Sequence, residues 1–259
     1  MKTYTFGPRG LTLALLACLA ATTTAIAPAM AQEEGQGGLS FGLMGFSGDS
    51  PYGFTDSGVM PFVDFDSRYV RISGPNADLK LPWISNENID VALRANFFSG
   101  EGYEASDDAI LTGMAEREGG IWVGAALDWR TPAVDLSFEA LSDTGDSEGS
   151  RVRIEASRMF FLGERVTVKP RLGAVWMDGE AVDYFYGVGA GEVTPTRAAY
   201  SGSSTVNIEA GVSIGYMLAE RHMLMLDISA TRLGDGIADS PIVPDDTLTA
   251  IGIGYMFRF

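Results

Sequence analysis

In "TVNIEAGVSIGYML", residues 205 to 218, every second side chain is apolar. Val206, Ile208, Ala210, Val212, Ile214 and Tyr216 share one face of an extended chain, and Asn207, Glu209, Gly211, Ser213 and Gly215 share the other. Period-two alternation belongs to a strand with one face out of water. The pattern returns along the chain. "GIWVGAALDWR" sets Ile121, Val123, Ala125, Leu127 and Trp129 against Trp122, Gly124, Ala126, Asp128 and Arg130. "RVTVKPRLGAVWM" sets Val166, Val168, Leu172 and Trp176 against Thr167, Lys169, Arg171 and Gly173, and "AVDLSFEALS" and "HMLMLDISATRL" repeat the theme. Segments of about ten residues with one apolar face suit a closed transmembrane barrel, because a bilayer offers no partner to an unpaired backbone group and closure removes every sheet edge. A soluble sandwich or small barrel would bury the apolar face and wear the small and charged face as its coat.

The connections between these segments alternate in length. "RTP" at 130 to 132, "LGE" at 162 to 164 and "LAE" at 218 to 220 read as tight turns. "SDTGDSEGS", "DGEAVDYFYGVGAGEVTPTRAAYSGSS" and "GDGIADSPIVPDD" are long, polar and glycine-rich. Outer-membrane barrels have this asymmetry, with short periplasmic turns and long outer loops. Candidate strands lie near 39–47, 58–66, 68–74, 78–84, 89–98, 120–130, 132–142, 150–161, 165–177, 205–218, 221–233 and 247–259. The fold predicted is therefore all-β, an antiparallel up-and-down transmembrane barrel of about twelve strands, or ten if Pro61 and Pro82 break the short early candidates. An even number places both termini in the periplasm.

At the N-terminus, Lys2 and Arg9 precede the apolar run "LTLALLACLAA", and Ala29-Met30-Ala31 forms a small-x-small site. That order predicts a signal peptide over 1–31 and a barrel domain over 32–259, exported to the outer membrane. The rival reading is a lipoprotein on Cys18, but Leu16 fits a lipobox poorly and the chain stays apolar up to the Ala-x-Ala site. Cys18 is the sole cysteine, so a chain starting at Gln32 has no thiol chemistry. It would hold 16 basic residues against 34 acidic ones, a net charge of -18 that repels nucleic acid. The last strand, "TLTAIGIGYMFRF", ends with its aromatics in phase. Gly254, Phe257 and Phe259 resemble the closing-strand signal read by the outer-membrane assembly machinery.

"RLGDGIADSPIV" followed by "GYMFRF" resembles the C-terminal signature of the MltA-interacting protein family, also called MipA/OmpV. "DYFYGV" at 183 to 188, with Tyr200 and the alternating strand after it, is similar to that family's tyrosine-rich segment. "SPYGFTDSGVMPFVDF" is similar to its first loop and second strand, while "GVGAGEV" departs from the shorter run usual there. The resemblance implies an outer-membrane barrel in contact with lipid and lipopolysaccharide. For the founding branch it implies a scaffold linking a lytic transglycosylase to a peptidoglycan synthase. Other branches imply adhesion or permeability, so a surface adhesin and a small-solute channel stand as alternatives.

Neither an enzyme nor a cofactor protein is expected. Barrel lipases and proteases need a histidine near the outer rim, whereas the sole histidine, His222, follows the "LAE" turn at the periplasmic end. The glycines of "YGVGAGEV" lack the strand-to-helix setting of a nucleotide site and read as loop flexibility. Placing the non-apolar face inward collects Asp90, Asp128, Asp135, Glu139, Glu155, Glu209 and Asp227 with Arg94, Arg130, Arg151, Arg153, Lys169, Arg171 and Arg258. Seven acids against seven bases suggests ion pairs across the lumen, with Arg153, Glu155, Lys169 and Arg171 meeting between the strands joined by "LGE". A selective pore would show an excess of one sign. The remaining acids cluster in "EGYEASDD", "SDTGDSEGS" and "DGIADSPIVPDD", read as solvated outer loops.

Overall fold

A computed structural model describes residues 38–97 and 102–259. The expected signal peptide and its cleavage site lie outside those residues. The strands are β1 Leu39–Asp49, β2 Thr55–Asp66, β3 Val70–Ser73, β4 Asn76–Lys80, β5 Ile89–Asn96, β6 Trp122–Arg130, β7 Asp135–Asp143, β8 Ser150–Ser157, β9 Phe160–Leu162, β10 Val166–Met177, β11 Thr205–Ala219, β12 His222–Arg232 and β13 Thr247–Arg258. All pairings are antiparallel and join strands adjacent in the chain, except that β8 and β9 both pair with β10, and β13 pairs with β1 from Ser40↔Arg258 to Gly48↔Ala250, which closes the ring. Leu43, Ile154, Leu172, Ile208, Ile228 and Ile253 are exposed on the outside, as a lipid-facing belt requires.

Two prolines decide local details. β8 and β9 both pair with β10 in one register, Ser157↔Arg171 and Phe161↔Thr167, so they are halves of a single strand and the barrel has twelve staves. Between them Arg158 N–H donates to the Pro170 carbonyl at 3.3 Å. A hydrogen-bonded antiparallel pair exchanges two such bonds, and Pro170 has no N–H to return the second. Pro61, by contrast, does not break β2. Asp66 N–H donates to the Gly38 carbonyl on the β1 side while the Val63 carbonyl accepts from Gly74 on the other, so odd-numbered residues of β2 face away from β1. The proline nitrogen therefore points where no ladder bond is needed, because β3 meets β2 only at Asp64, Phe65 and Asp66.

The expected strand at 78–84 is shorter than its pattern suggested. β4 ends at Lys80, and Leu81 to Ser85 form a turn containing Pro82, with Ile84 N–H donating to the Leu81 carbonyl at 3.1 Å. β3 and β4, at four and five residues, are about half the length of an ordinary barrel crossing. At the periplasmic end His222, Tyr255, Phe257 and Phe259 form an aromatic group. His222 Nδ1 lies 2.6 Å from the Tyr255 hydroxyl, and the Phe257 and Phe259 rings meet edge-on at 5.0 Å. Phe259 N–H donates to the Leu39 carbonyl at 3.0 Å, so the last residue is stitched to the first strand.

The missing Pro170 donor makes a prediction. In Pro170→Ala the new amide should bond the Arg158 carbonyl, and hydrogen exchange at position 170 should slow to the rate of its ladder neighbours. Exchange at the rate of an unprotected amide would mean that the interruption of β8 has another origin.

Candidate functional site

The lumen holds two ion-pair networks, and in one of them an arginine lies over an inward glycine. On one wall Arg171 of β10 reaches across β11 to Asp227 of β12, with both guanidinium nitrogens 2.8 Å from the carboxylate. The strand between presents Gly211, where a Cβ would sit 2.7 Å from the Arg171 Cζ. The guanidinium occupies the place of the missing side chain. Arg153 of β8 likewise crosses β10, where Gly173 lies opposite both Glu155 and Glu209, to pair with Glu209 of β11 through a 3.1 Å hydrogen bond. Arg94 of β5 crosses β6 beside Gly124, its register partner, to Glu139 of β7 at 2.8 Å. Charge-assisted bonds of this kind are about twice as strong as neutral ones, and they also satisfy groups that the narrow interior dehydrates.

The second wall centres on Asp78, whose side chain is buried. Arg71 and Arg94 hold it from β3 and β5 at 2.8 and 2.7 Å. Arg71 also reaches Asp128 at 2.8 Å and Asp90 at 3.4 Å, and Lys80 binds Asp66 at 2.6 Å. Arg151 stacks over Trp122 at 4.5 Å, with Glu139 3.9 Å from its Nε. Of the four residues expected to meet between β8 and β10, Arg153 and Arg171 carry ion pairs, but with carboxylates two strands away. Among the described residues no salt bridge joins Glu155 or Lys169. Both arginines lie beside an inward glycine, and that gap lets them pass over the middle strand. The alternation does not mark Arg71 and Asp78, whose short strands show little of it. Arg71 and Arg94 both stand directly opposite Asp78 in the strand register, so the cluster is marked only by that alignment of short strands.

The outer loops depart most from expectation. Read as solvated and flexible, they instead fold into a cap with its own apolar core, including Tyr52, Tyr103, Leu111, Trp122, Phe185 and Ile237. Its centre is α1, Gly179–Tyr186, opened by Asp178, whose carboxylate accepts from Ala181 N–H. A helix ends with carbonyls that have no partner of their own. Here Tyr184 O accepts from Arg117 Nε at 2.8 Å, Phe185 O from the Tyr52 hydroxyl at 3.2 Å and Tyr186 O from the Ser240 hydroxyl at 2.6 Å. Three hairpins thus donate to three successive carbonyls of a fourth. In "DGIADSPIVPDD", α2 Asp235–Ala238 and the turn after it bury Ile237, Ile242 and Val243. "YGVGAGEV" is pinned: Val188 exchanges backbone bonds with Tyr200, and Glu192 accepts from Gly189 and Ala115 N–H and pairs with Arg117 at 3.2 Å.

Burial works to raise the Glu192 pKa, but the two amides and Arg117 outweigh it and hold this carboxyl below the usual range. Burial pushes the Tyr103 hydroxyl up to about 12. That hydroxyl, Trp122 Nε1 and Asn96 Oδ1 are buried polar atoms with no hydrogen-bond partner among the described residues.

The MltA-interacting protein MipA family matches residues 41–259. Outer membrane protein Omp26La of Vibrio anguillarum is 24% identical over 173 residues, 66% of this chain and 67% of its own length. The putative outer membrane protein YiaT of Escherichia coli O157:H7 is 23% identical over 231 residues, 85% of this chain and 91% of its own. Among solved structures, an outer membrane channel from Pseudomonas putida F1 aligns over 91% of this chain and 100% of its own, at 12% identity and a TM-score of 0.44.

Two predictions follow the geometry. Gly211→Val should push the Arg171 guanidinium off Asp227 and cost about 1.5–3 kcal/mol, the worth of hydrogen bonds to a charged group. The heat-induced unfolding shift on gels reads this loss, and an unchanged midpoint would show that the crossing is dispensable. The Glu192 pKa is lower folded than unfolded, so its contribution to the cap is complete above the ordinary glutamate range and is lost as pH falls through its folded value. Limited proteolysis of the outer loops should accelerate on acidification below about pH 4. Glu192→Gln should flatten that dependence.

Proposed function

Because the chain belongs to the MltA-interacting protein MipA family, we propose that this outer-membrane barrel works as a non-catalytic scaffold. It holds a peptidoglycan-remodelling enzyme, of the lytic transglycosylase or synthase class, against the inner surface of the outer membrane. The observation that carries the reading is the distribution of order between the two ends. The long loops are consumed by the outer cap, whose side chains bond to one another. The periplasmic end stays low and accessible, and its longest connection, residues 81 to 88, presents Trp83 and Ile84 at 74% and 54% exposure. Tryptophan is the residue type most often found at the energetic centre of an interface.

The aromatic end of β13 belongs to the same proposal at an earlier stage. Gly254, Phe257 and Phe259 form the signal by which the assembly machinery recognises the chain. The packing of the Phe257 and Phe259 rings and the bond from Phe259 N–H to Leu39 support a closing role for that end.

The test is capture of the purified transglycosylase and synthase by the barrel. Trp83→Ala with Ile84→Ser should weaken capture roughly ten- to hundredfold, as loss of an interface anchor does, while heat-modifiability stays intact. Full capture by that variant would refute the proposed contact. A wild-type barrel that conducts in planar bilayers and captures neither enzyme would favour the channel. Phe259→Ser should separately reduce folded protein in the outer membrane.

A further inference from the structure

On the β10–β13 side of the lumen, the barrel contains a cavity of about 400 Å³. Its walls carry Met44 and Phe46 from β1, Met159 between β8 and β9, Met223 and Met225 from β12, and Lys169 from β10. The methionine side chains bordering this space lie over inward glycines, Gly215, Gly252 and Gly254. A Cβ on Gly254 would meet Met225 Cε at 3.2 Å and Met44 Cε at 3.7 Å, and one on Gly252 would meet Met44 Sδ at 3.5 Å. The thioether ends thus converge over a strip of bare backbone. Met159 enters at the place where Pro170 interrupts the ladder, facing Lys169 in the register that β8 and β9 share. The cavity reaches toward the periplasmic mouth, since Thr167 and Met223 are the second residues of β10 and β12 after their turns.

Two charged groups line this chamber. Asp227 is committed to Arg171 and to the Ser213 hydroxyl at 2.6 Å. Lys169 makes no salt bridge among the described residues, and it stands where the apolar wall meets the polar one. Flexible thioethers conform to hydrocarbon of irregular shape, and a volume of this order suits a small ligand fixed by one well-placed polar group. We propose that this chamber binds an amphipathic monocarboxylate with one medium-length apolar tail, its tail among Met44, Met223 and Met225 and its carboxylate on the Lys169 ammonium. The binding is non-covalent and independent of the scaffold reading.

Methionine oxidation provides a local probe. The full-length barrel, purified in a steroid-based detergent, is treated with dilute peroxide alone or with decanoate, decylamine or decanol, and sulfoxide at each methionine is read by mass spectrometry. Decanoate should slow oxidation of Met44, Met223 and Met225 severalfold relative to Met217, a luminal methionine near the periplasmic end of β11 that does not line the cavity. Decylamine and decanol should protect far less. Lys169→Gln should lose the preference for decanoate, and Lys169→Arg should keep it. Equal protection by the amine or the alcohol, unchanged protection in Lys169→Gln, or no protection beyond that of Met217 would each overturn the proposal.

Discussion

A hydrocarbon environment leaves a backbone N–H or C=O no partner but another backbone group, and this chain meets that demand by pairing β13 with β1. Other features are consequences of the closure. Once the ring is shut, side chains alternate between lipid and lumen along every stave, so a single register decides which residues can meet inside. Where the ladder loses a bond, at Pro170, the strand resumes in the same register two residues later, because slipping by one would turn the lipid-facing side chains inward.

Inside the ring, the scarcity of side chains matters as much as their chemistry. A lumen this narrow cannot hold a full set of large residues and a full set of ion pairs. Glycine on a middle strand removes the conflict by letting an arginine lie flat over it. Gly211 is therefore part of an ion pair to which it contributes no charge. On the β12–β13 side, methionine side chains take the place of a crossing arginine over Gly252 and Gly254.

The staves were legible because two solvents impose a strict alternation on them. β1, β6, β7, β10, β11, β12 and β13 all fall within two or three residues of the ranges read from the pattern. β4 falls short because a proline inside an apolar run does not announce which backbone side it will spoil. The inward charges were legible as a set but not as pairs. Arg153 lies one ladder step from Glu155 yet binds Glu209, a choice decided by the register of three strands and by an absent side chain between them. The cap was illegible for a different reason. Val182, Phe185, Ile237, Ile242 and Val243 are apolar residues scattered through acidic, glycine-rich stretches, and nothing in their own spacing reveals that they meet.

The last three carbonyls of α1 give the rim of the barrel a mechanical character. Their donors, Arg117, Tyr52 and Ser240, belong to three different hairpins, two of them neighbours in the ring. Drawing any one of these hairpins away from α1 therefore strains its own bond while the other two still hold the helix end. The ties at this rim are thus redundant, and the loss of one hairpin's bond leaves the helix end held by two others.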